Sequence, residues 1–162
     1  MLSPFKTQNF RAVRGARIGL VGSLYNDQYV SGMLRAAERI LEKSKAKRVR
    51  TVRVPGAFEI PVAAARLLRA SDLDLEAVIC LGVVMQGETK HADHIVSGVT
   101  TALAELQVET GKAVIHGVYL FETPSQAESR CLSPRFNRGK ELAMTALQMV
   151  ATLRSLPSFS NE

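Results

Sequence analysis

The chain has 162 residues, 46% hydrophobic and 22% charged, which suits one domain with a sizeable core and excludes disordered, collagenous and low-complexity classes. No apolar stretch reaches the roughly 18 residues that span a bilayer, and the opening MLSPFKTQNFRAVRG lacks the apolar centre of a secretory signal, so a cytoplasmic protein with no membrane partner is expected. The net charge of +6 sits largely in Lys43, Lys45, Lys47, Arg48, Arg50 and Arg53, with only 6% aromatic residues and no nucleic-acid-binding motif; solvated basic side chains explain it, and no nucleic acid is expected to bind.

Residues 1–16 show no period and read as an N-terminal arm. Arg17–Val21 reads as the first strand, and Gly22–Asn26 as a loop with Asn26 or Asp27 placed as N-cap. Val30, Met33, Leu34, Ala37, Ile40 and Leu41 form an apolar stripe that predicts a helix over 27–43. Val49–Val54 is the second strand, stopped by Pro55-Gly56. A helix follows from near Glu59, with Pro61 tolerated in its first turn. Residues 77–84 make the third strand, 90–109 the third helix closed by Gly111, and 113–120 the fourth strand. A short helix over 125–131 precedes Pro134. Gly139 then opens a last helix with Ala143, Ala146, Leu147, Val150 and Leu153 on one face. The tail from Pro157 reads as frayed, which leaves a single domain over 17–156.

Strands alternating with helices predict an α/β fold, a four-stranded parallel, flavodoxin-like sheet in a three-layer α/β/α sandwich. Ligands bind such sheets beyond the carboxyl ends of the strands. Tyr25, Ala57-Phe58-Glu59, Val83 to Thr89 and the segment after Tyr119 all follow strand ends, so they should share one rim. The most informative stretch is residues 78–97, VICLGVVMQGETKHADHIVS. There an apolar strand passes through a Gly/Thr turn into a helix, whose first amides offer a small anion site. The Thr89 hydroxyl can cap that helix or bond a ligand. His91 follows at once, and an imidazole suits proton transfer at neutral pH. Cys80 reads as inert core, whereas Cys131, near a helix end, reads as semi-exposed. The cysteines lack metal spacing and predict no disulfide. His91 and His94, three apart, have no visible third ligand, so no metal is expected.

Taken together, Tyr25-Asn26, VPGAFEIP at 54–61, GVVMQGETKHADHI at 82–95, Gln126-Ala127 with Arg130, and Asn137 with Gly139 resemble the lumazine synthase family of riboflavin biosynthesis. The resemblance covers about residues 17–150. It implies condensation of 5-amino-6-(D-ribitylamino)uracil with 3,4-dihydroxy-2-butanone 4-phosphate, without metal or organic cofactor. By the same resemblance His91 is the general acid/base. Glu88, Thr89 and Arg130 would hold the phosphate, with Arg130 coming from the adjacent subunit of a pentamer-based homo-oligomer. Tyr25 would stack on the pyrimidine. Ala57 and Phe58 would contact it through their backbone, and Val83, Val84 and Met85 would frame it. Glu59 would bind ribityl hydroxyls, and Asn26 would be auxiliary. His116, which would also contact the pyrimidine substrate, stands where the family generally has phenylalanine, and Arg138, auxiliary like Asn26, replaces a common lysine. These departures leave a non-catalytic flavin- or lumazine-binding protein as an alternative expectation, and the family's assembly together with the N-terminal arm leaves a structural shell protein as another.

Overall fold

A computed structural model describes residues 13–157. Among them four strands alternate with five α-helices, in the order β1 (Arg17–Ser23), α1 (Asp27–Lys43), β2 (Lys47–Val54), α2 (Ile60–Arg69), β3 (Ala77–Met85), α3 (His91–Thr110), β4 (Ala113–Phe121), α4 (Pro124–Cys131) and α5 (Arg138–Ser155). A 3-10 turn, Ala57–Glu59, leads into α2. All strand pairings are parallel, in the order β2-β1-β3-β4. The expected three-layer sandwich is the fold observed.

The two faces of the sheet separate by strand alternation. Leu20, Ile79, Leu81 and Ile115 pack with Val30, Met33 and Ala37 of α1 and with Leu147 and Val150 of α5. Val21, Val78, Cys80 and Val118 pack on the other face with Ile60, Leu67, Val99 and Leu103 of α2 and α3. Both faces of β3 are therefore buried, which is why Val78–Leu81 reads as an unbroken apolar run. No helix among the described residues is long and apolar enough to cross a membrane.

The structure departs from the sequence reading in three places. Strand β2 begins at Lys47, because its exposed Lys47 and Arg50 lie on an edge strand where charge is tolerated. The domain also starts before Arg17: Val13 and Ala16 are fully packed into the core, and the Gly15 amide donates to Lys45 O at 2.9 Å. The rest of the expected arm, residues 1–12, and residues 158–162 of the tail lie outside the described residues.

Cys131 is the third departure. It is fully buried rather than semi-exposed, and burial pushes its thiol up to about 11 against the opposing pull of Arg138. Packing between α1 and α4 buries it. A Cβ added at Gly32 would lie 2.7 Å from Cys131 O. Asn137 holds that junction: its Nδ2 donates to the Cys131 carbonyl, and its Oδ1 caps α5 by accepting from Gly139 N at 2.8 Å. Burial likewise raises Cys80 to about 12, in keeping with an inert core thiol.

Candidate active site

The carboxyl ends of β1, β2 and β3 open onto a cleft of about 760 Å³. Tyr25 and Asn26 from the β1–α1 loop line it, with Gly56 to Glu59 after β2, Val83 to Met85 at the end of β3, and His91, His94 and Ile95 on α3. Nine of the residues assigned to the site from the sequence thus meet in one place. Gly56, His94 and Ile95 were not among them. The signal for the last two was their spacing, since residues three and four beyond His91 share its helix face.

Each wall is fixed by local chemistry. Pairing between β1 and β3 ends at Gly22 and Leu81, so the carbonyl of Val83 has no partner from β1. Asn26 supplies one, its Nδ2 donating to Val83 O at 2.8 Å. Asn26 therefore stands at the N-cap position of α1 but makes no side-chain cap there. Its backbone is left-handed, with φ 55°, a conformation that asparagine tolerates better than most residues. The flanking amides are pinned to the end of β2: Leu24 N donates to Val54 O at 2.7 Å and Tyr25 N to Pro55 O at 3.0 Å. Tyr25 is left 73% exposed at the cleft.

After β2, Glu59 turns back on its own segment, and its Oε2 accepts from Gly56 N at 2.8 Å. That bond closes the turn and leaves Oε1 as an acceptor for a ligand hydroxyl. Ala57 is buried beneath the turn, while Phe58 is 65% exposed.

At β3 the chain leaves the sheet through Gln86, whose amide donates to Phe121 O at 2.8 Å. The Gln86 side chain then bonds Gly87 O and Thr89 O, both at 3.1 Å, and shapes the turn into α3. No side chain caps α3. Its N-cap is Lys90, and Thr89 Oγ1 lies 3.5 Å from His91 N, at the outer limit of a hydrogen bond. Of the two uses open to the Thr89 hydroxyl, capping is poorly made and a ligand contact stays available. The turn combines uncapped amides, the exposed Gly87 and Thr89, and an exposed imidazole at the first position of the helix. It can take an anion at the helix start with a proton carrier beside it. Among the described residues no group of three or more His, Cys, Asp or Glu is arranged to hold a metal ion.

Residues 15–154 match the family described as 6,7-dimethyl-8-ribityllumazine synthase. The chain belongs to that family. Similar proteins that carry the same name include one from Kineococcus radiotolerans, 39% identical over 88% of this chain and 88% of the relative. A second, from Syntrophus aciditrophicus, is 36% identical over 94% and 99%. A third, from Aquifex aeolicus, is 38% identical over 88% and 92%.

Not every residue matched to the lumazine synthase pattern reaches this cleft. Glu88 and Thr89 are exposed on the turn beside it. Arg130 is exposed on α4, which packs on α1, α5 and β4, and it does not line the cleft. Arg138 opens α5 and pairs with Glu141. His116 lies at the free edge of the sheet, in a separate hollow of about 420 Å³ shared with Gln107, Tyr119 and Glu141.

His116 bonds Thr100 Oγ1 of α3 at 2.9 Å through Nε2. Partial burial holds its pKa below the usual 6.5, against a smaller opposing effect of its own backbone. The unfolded chain then binds the proton more readily than the folded one. The stabilising contribution is complete above about 6.5 and is lost as pH falls through that value toward the lower folded pKa. In His116→Phe, the drop in melting temperature between pH 7.5 and pH 5.5 is expected to be smaller than in the parent. An equal drop in the two proteins would show that His116 is not a source of the slope.

Proposed function

We propose that the protein condenses 5-amino-6-(D-ribitylamino)uracil with 3,4-dihydroxy-2-butanone 4-phosphate, releasing 6,7-dimethyl-8-ribityllumazine, phosphate and water in the penultimate step of riboflavin biosynthesis. One observation carries this reading within the matched family. A single cleft gathers Tyr25, Ala57 to Glu59, Val83 to Met85 and the imidazole of His91.

The residues divide the work by their chemistry. Tyr25 stacks on the pyrimidine and the ends of β2 and β3 frame it, so that its amine is held toward α3. The free oxygen of Glu59 takes ribityl hydroxyls. Thr89 and the first amides of α3 receive the phosphate, and the exposed Glu88 takes part through its backbone, because a carboxylate side chain repels an anion. His91 stands between the two halves of the reaction. Imine formation must expel water from a carbinolamine, and phosphate departure must be coupled to loss of a carbon-bound proton. One imidazole that gives and then takes a proton serves both steps. Ring closure with loss of a second water completes the product.

We further propose that the active unit is a pentamer, in the cytoplasm, whose sites lie between neighbours. The placement of Arg130 supports this, since it lies outside the cleft of its own chain. Arg130 of the next subunit then supplies the phosphate with a guanidinium that stays charged as the leaving group departs. His116 at the β4 edge, and Arg138, which pairs with the Glu141 lining the same hollow, reach the neighbour's site with it. A monomer by light scattering would overturn this assembly.

Mixing both substrates with folded protein should give lumazine absorbance faster than the uncatalysed reaction. No acceleration would overturn the function. In the same assay Arg130→Ala should raise KM for the butanone phosphate more than KM for the pyrimidine. Losing a charge-assisted contact costs about 1.5–3 kcal/mol, roughly ten- to hundredfold. An unchanged phosphate KM would remove Arg130 from the site.

A further inference from the structure

Arg53 belongs to the basic block that the sequence reads as solvated, yet its guanidinium is heavily engaged. Arg53 pairs in register with Gly22 of the neighbouring strand. Gly22 has no side chain, and this lets Arg53 cross β1 toward the start of α1. A Cβ there would lie 3.3 Å from Arg53 Nε and 3.1 and 3.2 Å from Leu34 and Val30. The guanidinium then donates in four directions. Nε bonds Gly22 O at 3.2 Å, and Nη2 bonds Ser23 O at 2.7 Å. Nη2 also bonds Asp27 Oδ1 at 2.6 Å, and Nη1 bonds Ser31 Oγ at 3.3 Å. Ser31 in turn donates to Asp27 Oδ1 at 2.8 Å.

Gly22 and Ser23 end β1, whereas Asp27 and Ser31 begin α1. Between them lie only Leu24, Tyr25 and Asn26, and the last two line the cleft. One planar group therefore grips both ends of the loop that presents the Tyr25 ring. That loop contains the left-handed Asn26, a backbone state that persists where its surroundings hold it. A lysine cannot do the same, because a single ammonium lacks the rigid fork that spans two carbonyls and a carboxylate.

We propose that Arg53 is a positioning residue for the pyrimidine substrate, acting through the two ends of the Tyr25-Asn26 loop. The inference rests on the reading of Tyr25 as the stacking residue. It separates placement of one substrate from general support of the fold, because the phosphate subsite stands on a different turn, at the start of α3.

Steady-state kinetics on folded full-length variants test it. Arg53→Met is expected to raise KM for the pyrimidine about tenfold while KM for the butanone phosphate stays within about twofold. Arg53→Lys, which keeps the charge beside Asp27, is expected to fall between the parent and Arg53→Met. In a Tyr25→Ala background Arg53→Met is expected to add no further rise, since both changes act on one contact. Should Arg53→Met not fold, Asp27→Asn releases the α1 end alone and is expected to move the pyrimidine KM in the same direction, about threefold. Equal rises for both substrates overturn the inference, as do Arg53 and Tyr25 effects that multiply in the double variant. If Tyr25→Ala alone leaves the pyrimidine KM unchanged, the assignment of Tyr25 itself fails and takes the inference with it.

Discussion

Replacing His91 with asparagine is expected to lower kcat by about 10²–10⁴ while KM for either substrate changes little. The imidazole is exposed at the first position of α3, beside an uncapped helix start and within the cleft proposed to receive the pyrimidine. Asparagine keeps a hydrogen-bonding side chain of similar reach but cannot carry a proton at neutral pH. Ground-state binding should therefore survive, and only the steps that move protons should slow. Because His91 packs against nothing that its removal would leave empty, melting temperature should be unaffected. A kcat within about fourfold of the parent would be far below what general acid–base catalysis supplies, and His91 would then be a helix-start residue without a chemical role. His94, on the same helix face and also lining the cleft, is the residue to examine next in that event.

The largest expected effect on stability lies far from the cleft. A Cβ built at Gly139 would sit 2.0 Å from Met33 O, 2.7 Å from Met33 C and 2.8 Å from Met33 Cα. All three are backbone atoms of α1, so no rotamer change relieves the clash. Gly139→Ala must push α5 away from α1, opening the layer that holds Met33, Ala37, Ala143 and Leu147. Overpacking that side-chain adjustment can absorb costs roughly 1–3 kcal/mol, and a backbone collision should reach the upper end, about 3 kcal/mol. For a chain of this size that corresponds to a fall of about 6–12 °C in melting temperature. Gly87→Ala is the control: an added Cβ there has nothing within 4 Å, and its melting temperature should match the parent. A stable Gly139→Ala protein would mean that α5 can slide on α1.

The parts of this molecule that were legible in its sequence are those governed by period and by punctuation. Val78–Leu81 must be a strand buried on both faces, and Val30 to Leu41 must be a one-sided helix, because spacing alone decides which face each residue occupies. Pro55-Gly56 and Gly111 end their elements for equally local reasons. Val13 and Ala16 show the opposite case, since two apolar residues without a repeat carry no sign that the core reaches them. Cys131 belongs with them, its burial depending on α1 and Asn137 meeting over it.

At the site, His91 and the PGAFEIP turn could be named from the chain. The bond from Asn26 to the Val83 carbonyl could not, because it joins residues 57 apart and depends on where β1 stops pairing. Arg53 was hidden by its company, one cation in a basic run, and only the gap above Gly22 distinguishes it. His116 and Arg130 were placed by likeness to a family, and a single chain leaves them outside its own cleft.

The strand order has a consequence for how this molecule comes into being. The first half of the chain builds β1, α1 and β2, and the second builds β3, α3 and β4, each a unit of near neighbours in sequence. The seam between β1 and β3 joins positions roughly sixty residues apart, a slow closure compared with events inside either half. Tyr25 and Glu59 stand on one side of that seam, and Met85 and His91 on the other. The two walls therefore meet only once β1 and β3 have paired, and a chain in which that seam is open holds neither a complete cleft nor both halves of its chemistry together.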